Sequence, residues 1–156
     1  MILHHGSYCL IDSIDLDVCR AHTDFGKGFY LTPIRSQAVR RARLKARLTL
    51  SEPVLNVYSF NEAVLNDGSL KVLRYDNQSQ EWAHFVYSNR EIPDFTHDYD
   101  IVVGPVADDN LRLQFNRIKR GELSFADLPA EIHYRDEDVQ YCFCTPKAIS
   151  FLKHLQ

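Results

Sequence analysis

The 156-residue sequence lacks any apolar run close to the ~20 residues that a helix needs to cross a bilayer. Its first seven residues also lack the basic flank and sustained apolar segment of a secretory leader. Neither sign of charge dominates, because 18 lysines and arginines oppose 21 aspartates and glutamates, which leaves a net charge of -3. These absences predict a cytoplasmic protein with no membrane partner. Only local patches can therefore indicate whether a nucleic acid or a protein is bound.

Cysteine is sparse, and no pair has the Cys-x-x-Cys spacing that zinc sites use. The four cysteines are Cys9, Cys19, Cys142 and Cys144. The last two alternate with aromatic residues, as in a strand with one buried face. The histidines show no metal-ligand spacing either. The sequence therefore predicts no metal, and it favours small buried thiols in a reducing compartment over a disulfide framework.

Strand-like and helix-like segments alternate along the chain without an internal repeat or a linker. This pattern predicts a single α+β domain over residues 1–156. Strands are expected near residues 2–5, 53–60, 70–75, 99–105 and 139–144, and a tight loop that enters a further strand is expected within residues 24–32. A helix is expected over residues 36–48, because Ala38, Ala42 and Ala46 recur every four residues. Three further helices are expected, capped by Asn77, by Asp108 or Asp109, and by Thr145, the last with Ile149, Leu152 and Leu155 facing inward.

Three separated motifs carry polar or glycine residues at the edges of these elements. The first is Leu-His-His-Gly-Ser at residues 3–7, and the second is Phe-Gly-Lys-Gly-Phe-Tyr at residues 25–30. The third is Val-Gln-Tyr-Cys-Phe-Cys-Thr-Pro at residues 139–146. Each motif alone is weak, and His5, Tyr30 or Gln140 taken singly would be an ordinary structural residue. Their joint order favours a nucleotide site.

In this order the motifs resemble the ADP-ribosyltransferase superfamily, specifically its diphtheria-toxin and poly-ADP-ribose-polymerase clade. That clade carries His on a first strand, Tyr after a Gly-x-Gly loop, and Glu, Asp or Gln on a late strand. Residues 80–82 and 99–109 also resemble a compact bacterial branch, whose members often sit in operons that resemble toxin–antitoxin pairs. The resemblance extends over nearly the whole chain. It implies two packed, mostly antiparallel sheets around an NAD cleft with flanking helices.

The resemblance also implies a role for each motif residue. His5 would contact the adenine-side ribose, Tyr30 would stack on nicotinamide, and Gln140 would contact the hydroxyl of the ribose that is attacked. The glycine at position 6 would let the backbone pair with the nicotinamide amide, because no Cβ intervenes. The NAD-binding set implied in this way is Gly6, Ser7, Gly28, Phe29 and Ser36.

Two departures from the clade's fuller pattern bear on the reaction. Gln140 replaces a glutamate, so this position is neutral and cannot act as a general base. A single transfer is therefore favoured over long poly-ADP-ribose chains, and Asp138, two residues earlier on the strand, is a candidate helper. Arg40 and Arg41 lie where polymerases carry a second aromatic residue, so a nicotinamide sandwich is not expected.

The predicted helix after Tyr30 carries a cluster of basic residues with no acidic residue between them. The cluster consists of Arg35, Arg40, Arg41, Arg43, Lys45 and Arg47. A solvated helix face is the plainest interpretation. The alternatives are a site for the NAD pyrophosphate, a site for a nucleic-acid acceptor, or a site for an acidic partner protein. Lys27, Arg40 and Arg41 are candidate contacts for the pyrophosphate or for the acceptor.

Together these features predict a mono-ADP-ribosyltransferase that uses NAD as its substrate. The acceptor would be a protein or a nucleic acid, RNA included. The protein would act as a bacterial toxin or defence effector that a small antitoxin or inhibitor protein holds in check. Two alternatives remain open at this point. One is an NAD glycohydrolase, in which water replaces the acceptor. The other is a silent module that binds NAD, ADP-ribose or a partner without turnover.

Overall fold

The strands form two sheets in the computed structural model, which describes residues 1–107, 109–128 and 138–155. These residues form seven strands and four α-helices. In chain order they are β1 (Ile2–Ser7), β2 (Phe29–Leu31), α1 (Arg35–Thr49), β3 (Val54–Phe60), β4 (Val72–Arg74), α2 (Gln80–Glu91), β5 (Ile101–Pro105), α3 (Asp109–Lys119), β6 (Val139–Phe143), α4 (Pro146–Ile149) and β7 (Leu152–His154). A short 3₁₀ helix, Glu62–Leu65, lies between β3 and β4.

The first sheet has the order β1-β3-β7 and is antiparallel throughout. The second has the order β2-β6-β5-β4, in which only the β4–β5 pair is parallel. An isolated bridge between His4 and Thr32 connects β1 to the residue after β2. The prediction of an α+β chain with two mostly antiparallel sheets is therefore confirmed at this coarse level.

Two apolar clusters cover the two faces of the second sheet. Phe29, Tyr141 and Phe143 pack with Leu3 and Tyr58 of the first sheet, on one face. The residues that alternate with them, Val102 and Cys142 among them, pack against α2 and α3 on the other face through Trp82, Val86, Leu111 and Phe115. Burial on both faces explains why the strand at residues 101–103 is continuously apolar rather than alternating.

Helix α1 packs closely on β1, at the position of Gly6. Ala38, Ala42 and Ala46 form the buried stripe of the helix. A Cβ at position 6 would lie 2.0 Å from the carbonyl oxygen of Ala38 and 2.6 Å from the amide nitrogen of Ala42. Both are backbone atoms of a helix and cannot move away cheaply. Gly6 is therefore required for this contact between helix and strand, quite apart from any ligand.

Two predicted helix boundaries differ from those in the structure. Ser79, rather than Asn77, caps α2, and its hydroxyl accepts from the amide of Trp82. The last predicted helix was expected to run past Leu152, but α4 ends at Ile149 and the chain then forms β7. The apolar spacing near the end fits either element, and pairing of β7 with the free edge of β3 decides between them. Asp108, one of two predicted caps for α3, lies outside the described residues.

None of the helices within the described ranges is both long enough and apolar enough to cross a bilayer.

Candidate functional site

The three residues predicted to be catalytic lie on β1, β2 and β6, which meet at one edge of the two sheets. Backbone hydrogen bonds of 2.8 and 3.0 Å join His4 and Thr32, and they hold β1 beside the end of β2. Strand β2 pairs with β6, and Tyr30 is opposite Cys142. Gln140 is two residues before Cys142 on the same strand and therefore shares its face. The fold thus brings His5, Tyr30 and Gln140 into one region.

Both ring nitrogens of His5 are engaged. The Nδ1 atom lies 2.6 Å from the carbonyl oxygen of Tyr30, and Nε2 lies 3.1 Å from the Lys45 ammonium. The ring also stacks on Phe29, with 4.5 Å between centroids. Burial, and then the Lys45 charge, lower the pKa of His5 from 6.5 to about 4. The imidazole is therefore neutral near pH 7, so Nδ1–H donates to Tyr30 and Nε2 accepts from Lys45.

The low pKa of His5 predicts a specific pH dependence of stability. Between pH 6.5 and about 4 the unfolded chain binds a proton at His5 that the folded chain does not. Stability should therefore fall across this window as the pH falls, and should change no further through His5 below it. His5→Asn removes the titrating ring, so the slope of unfolding free energy against pH should decrease by up to one bound proton. Urea denaturation at pH 7, 6, 5 and 4 measures both slopes, and equal slopes would contradict the assignment.

The hydroxyl group of Tyr30 holds the loop that precedes β2. It accepts from the amide of Phe25 at 2.9 Å, donates to the carbonyl oxygen of Gly26 at 2.8 Å, and lies 2.8 Å from the Thr23 hydroxyl. Gly26 has a φ of +81°, which favours glycine at this turn. Burial raises the pKa of Tyr30 well above its usual range, so the hydroxyl stays protonated. The half-buried ring of Tyr30 is thereby fixed in one orientation.

A buried carboxylate, Asp24, connects the same loop to Gln140. It accepts from the Gln140 side-chain amide at 2.7 Å, from the Ala107 amide at 3.0 Å and from Arg90 Nε at 2.9 Å. A second nitrogen of the Arg90 guanidinium completes the ion pair. The Gln140 amide nitrogen also donates to the carbonyl oxygen of Pro105 at 3.3 Å. Both N–H groups of the Gln140 amide are therefore used. The Asp24 carboxylate can only accept hydrogen bonds, so it needs a donor such as this amide beside it.

Replacing Gln140 with glutamate is expected to destabilise the fold at pH 7. The substitution places a second carboxylate where an amide now donates to Asp24, so the expected loss is about 2 kcal/mol or more. A shared proton would relieve the repulsion and would raise a carboxyl pKa in the folded state only. The folded chain would then bind more protons than the unfolded chain, and stability should rise as the pH falls from 7.5 to 5.5.

Denaturation at those two pH values tests this expectation. The exchange variant Asp24→Asn with Gln140→Glu is the control, because it restores one amide and one carboxylate and should recover part of the loss. Equal stability of Gln140→Glu and the natural chain at both pH values would show that the amide is not needed beside Asp24.

The residues implied for NAD binding lie in two places. Gly6, Ser7, Gly28 and Phe29 are buried on β1, on β2 and immediately before β2. A Cβ at Gly28 would lie 2.5 Å from Cys142 Sγ, so this glycine, like Gly6, has a packing reason of its own. Ser36 instead is exposed in the first turn of α1, outside the alanine stripe that faces β1.

The candidate pyrophosphate contacts are engaged to different degrees. Lys27 lies 3.6 Å from Asp17, and Arg40 lies 3.6 Å from Asp138, the candidate helper. Burial lowers the pKa of Lys45, and the nearby charge of Arg41 lowers it further. Lys45 and Arg41 are one helical turn apart. Among the described residues no carboxylate lies within ion-pair distance of either. Lys45 is therefore an unpaired cation in contact with His5, and Arg41 is a second one on the same helix.

Three important residues were not singled out from the sequence. Lys45 was grouped with the other basic residues, although its position between Ala42 and Ala46 on the helix could have placed it beside β1. The position of Asp24, just before the Gly-x-Gly loop, is a weak sequence signal. No sequence pattern indicates Arg90, because its partner Asp24 is 66 residues away in the sequence.

Metal ligands do not cluster in the part of the chain that the structure describes, where no group of three or more His, Cys, Asp or Glu side chains could hold an ion.

Comparison with known proteins identifies a family. A family model described as "Protein of unknown function (DUF3990)" matches residues 1–154, nearly the whole chain. None of the curated proteins or solved structures that were compared matches the chain.

Proposed function

This chain belongs to the DUF3990 family, and we propose that it is a mono-ADP-ribosyltransferase with the fold of the ADP-ribosyltransferase superfamily. It would cleave NAD and transfer ADP-ribose to a protein or a nucleic acid. One observation carries the proposal. His5 donates to the Tyr30 carbonyl, the Tyr30 hydroxyl holds the loop at residues 23–26, and Asp24 of that loop accepts from Gln140. The residues of three sequence motifs are thus linked in one hydrogen-bonded frame.

Such a frame is suited to holding a substrate in a fixed geometry. Cleavage of the nicotinamide–ribose bond passes through an oxocarbenium-like transition state, as in glycoside cleavage. Holding the reacting groups in position can supply a large part of the barrier reduction, and small displacements are costly. Because Tyr30 is fixed through both its carbonyl and its hydroxyl, its half-buried ring offers a rigid surface on which an aromatic group can stack.

Positive charge for the substrate's pyrophosphate is available beside His5. Lys45 uses one of its three N–H groups on His5, which leaves two for an anion. Arg41 lies one turn away on the same helix. We therefore assign the phosphate contacts to Lys45 and Arg41, because Lys27 and Arg40 already face carboxylates.

Gln140 would act on the substrate through its carbonyl oxygen. Both of its donors are used, on Asp24 and on Pro105. The remaining oxygen can accept from a ribose hydroxyl and so orient the ring. When the carbon–nitrogen bond breaks, its electron pair leaves with nicotinamide. An acceptor oxygen or nitrogen then bonds to the anomeric carbon and loses a proton, and Asp138 is the candidate recipient once it separates from Arg40.

Transfer is tested with adenylate-labelled NAD added to the purified protein and a bacterial lysate, which is then separated into protein, RNA and DNA. Label in one fraction, absent with Tyr30→Ala, supports the transferase and identifies the acceptor class. Free ADP-ribose without labelled macromolecule would replace the proposal with an NAD glycohydrolase. If NAD binds but remains intact, the protein is instead a silent binding module.

The proposed role as a toxin or defence effector restrained by a small inhibitor is tested by growth. Expression of the natural chain should slow bacterial growth, and expression of Tyr30→Ala should not.

A further inference from the structure

The last two turns of α1 expose two parallel rows of side chains that the candidate site does not use. Arg43 and Arg47 form one row, and Leu44 and Leu48 form the other, each pair one helical turn apart. The leucines are 51% and 78% exposed, and Leu50, just beyond the helix, is 96% exposed. These five residues, Arg43, Leu44, Arg47, Leu48 and Leu50, are called the α1 outer face below. Exposed leucines clustered in this way usually indicate a binding surface.

Leu50 is unusual in its backbone as well as in its exposure. It has φ 54° and ψ 40°, the left-handed conformation that glycine or asparagine normally supplies at a helix end. The Cβ atom of an L-residue approaches the following carbonyl oxygen in this conformation, and the exposed leucine does not offset that cost by burial. The fold therefore gives no reason for leucine here.

A shallow depression adjoins this face. It has a volume of about 300 Å³ and is lined by Arg43, Ala46, Arg47, Leu50, Ser51 and Pro53. Its lining thus includes two arginines, an exposed leucine and a proline.

The charge of α1 defines the partner further. Residues 35–49 contain six basic residues and no acidic one. Neither Arg43 nor Arg47 has an ion pair among the described residues. Arg47 lies in the last turn, where the helix dipole favours a cation. That explains Arg47, but it explains neither Arg43 nor the exposed leucines.

We infer that the α1 outer face docks an acidic amphipathic segment of a partner protein. Carboxylates of the partner would face Arg43 and Arg47, and its apolar side chains would cover Leu44, Leu48 and Leu50. A nucleic acid is disfavoured because three exposed leucines offer its phosphates nothing. Docking at this face does not depend on NAD chemistry, since Lys45 contacts His5 of β1 from another side of α1.

The test is a random 16-residue peptide library displayed on phage and selected on the full chain. Selected peptides are expected to carry excess Asp and Glu with apolar residues spaced three or four apart. They should bind the variant Leu44→Ser with Leu48→Ser at least 10-fold more weakly, and they should bind Arg43→Glu with Arg47→Glu at least 10-fold more weakly. Leu113→Ser, at an exposed leucine of α3, is the matched control and should bind normally.

A 20-nucleotide single-stranded RNA forms the second arm of the test. The inference expects it to bind more weakly than the selected peptides and to be indifferent to the leucine substitutions. Selected peptides without acidic excess, or peptide binding that the leucine substitutions leave unchanged, would overturn the inference. Tighter binding of the RNA would do so as well. NAD cleavage should be equal in the natural chain and in Leu44→Ser with Leu48→Ser, so the two proposals can fail separately.

Discussion

Replacing Asp24 with alanine is expected to lower the free energy of unfolding by about 3–5 kcal/mol. The substitution leaves the Arg90 guanidinium, which is mostly buried, without its partner. It also removes the acceptor for the Gln140 side chain and for the Ala107 amide. Urea denaturation at pH 7 measures the loss. The Asp24 carboxylate thus connects its loop to α2, to the residue at position 107 and to β6.

Two variants control for the loss at Asp24. Asp98→Ala breaks an exposed ion pair with Lys71 and is expected to lose little stability, because water and salt screen the pair. Arg90→Met in the Asp24→Ala background removes the unpaired charge and should recover part of the stability. Equal losses for Asp24→Ala and Asp98→Ala would show that the contacts of Asp24 with Arg90 and Gln140 do not hold the loop to α2 and β6.

Replacing Tyr30 with alanine is expected to reduce kcat/KM for NAD cleavage by about 100-fold or more. It removes the ring that would stack on nicotinamide and releases the loop that presents Asp24 to Gln140. Tyr30→Phe keeps the ring but loses the hydroxyl contacts, so its loss should be smaller and should come with about 1–3 kcal/mol of lost stability. The release of nicotinamide measures the activity of each variant.

Tyr87→Ala is the matched control for the Tyr30 substitutions. Its ring packs edge-on against Phe115 and Phe125, with 5.1 Å between centroids in each case, among the side chains of α2 and α3. Tyr87→Ala should lower the free energy of unfolding, but its folded fraction should cleave NAD at nearly the natural rate. A Tyr30→Ala variant that folds and cleaves NAD at the natural rate would remove Tyr30 from the proposed site.

The elements with one clear apolar period were predictable from the sequence. The spacing of Ala38, Ala42 and Ala46 predicted α1 and its buried side, and the apolar run at residues 101–103 predicted a strand. The end of the chain was not predictable, because its apolar spacing suits a helix and a strand equally. The free edge of β3 decides that question, and an edge is a property of the assembled sheet.

The site was predictable in its positions but not in its contacts. The order of the three motifs indicated His5, Tyr30 and Gln140, and β1, β2 and β6 do bring them into one region. The ion pair of Asp24 with Arg90 and the contact of Lys45 with His5 depend on how distant segments pack. Gly6 and Gly28 illustrate the same limit. A ligand could explain both, yet each is already required by a neighbouring helix or strand.

The most direct test of the central claim is a time course of NAD with the purified natural chain and a bacterial lysate, followed by proton NMR. The proposal predicts steady release of nicotinamide with the natural chain. It predicts none above the lysate background with Tyr30→Ala at equal concentration and with its fold verified by circular dichroism. If the natural chain consumes NAD no faster than Tyr30→Ala does, the claim that this hydrogen-bonded frame supports NAD cleavage is contradicted.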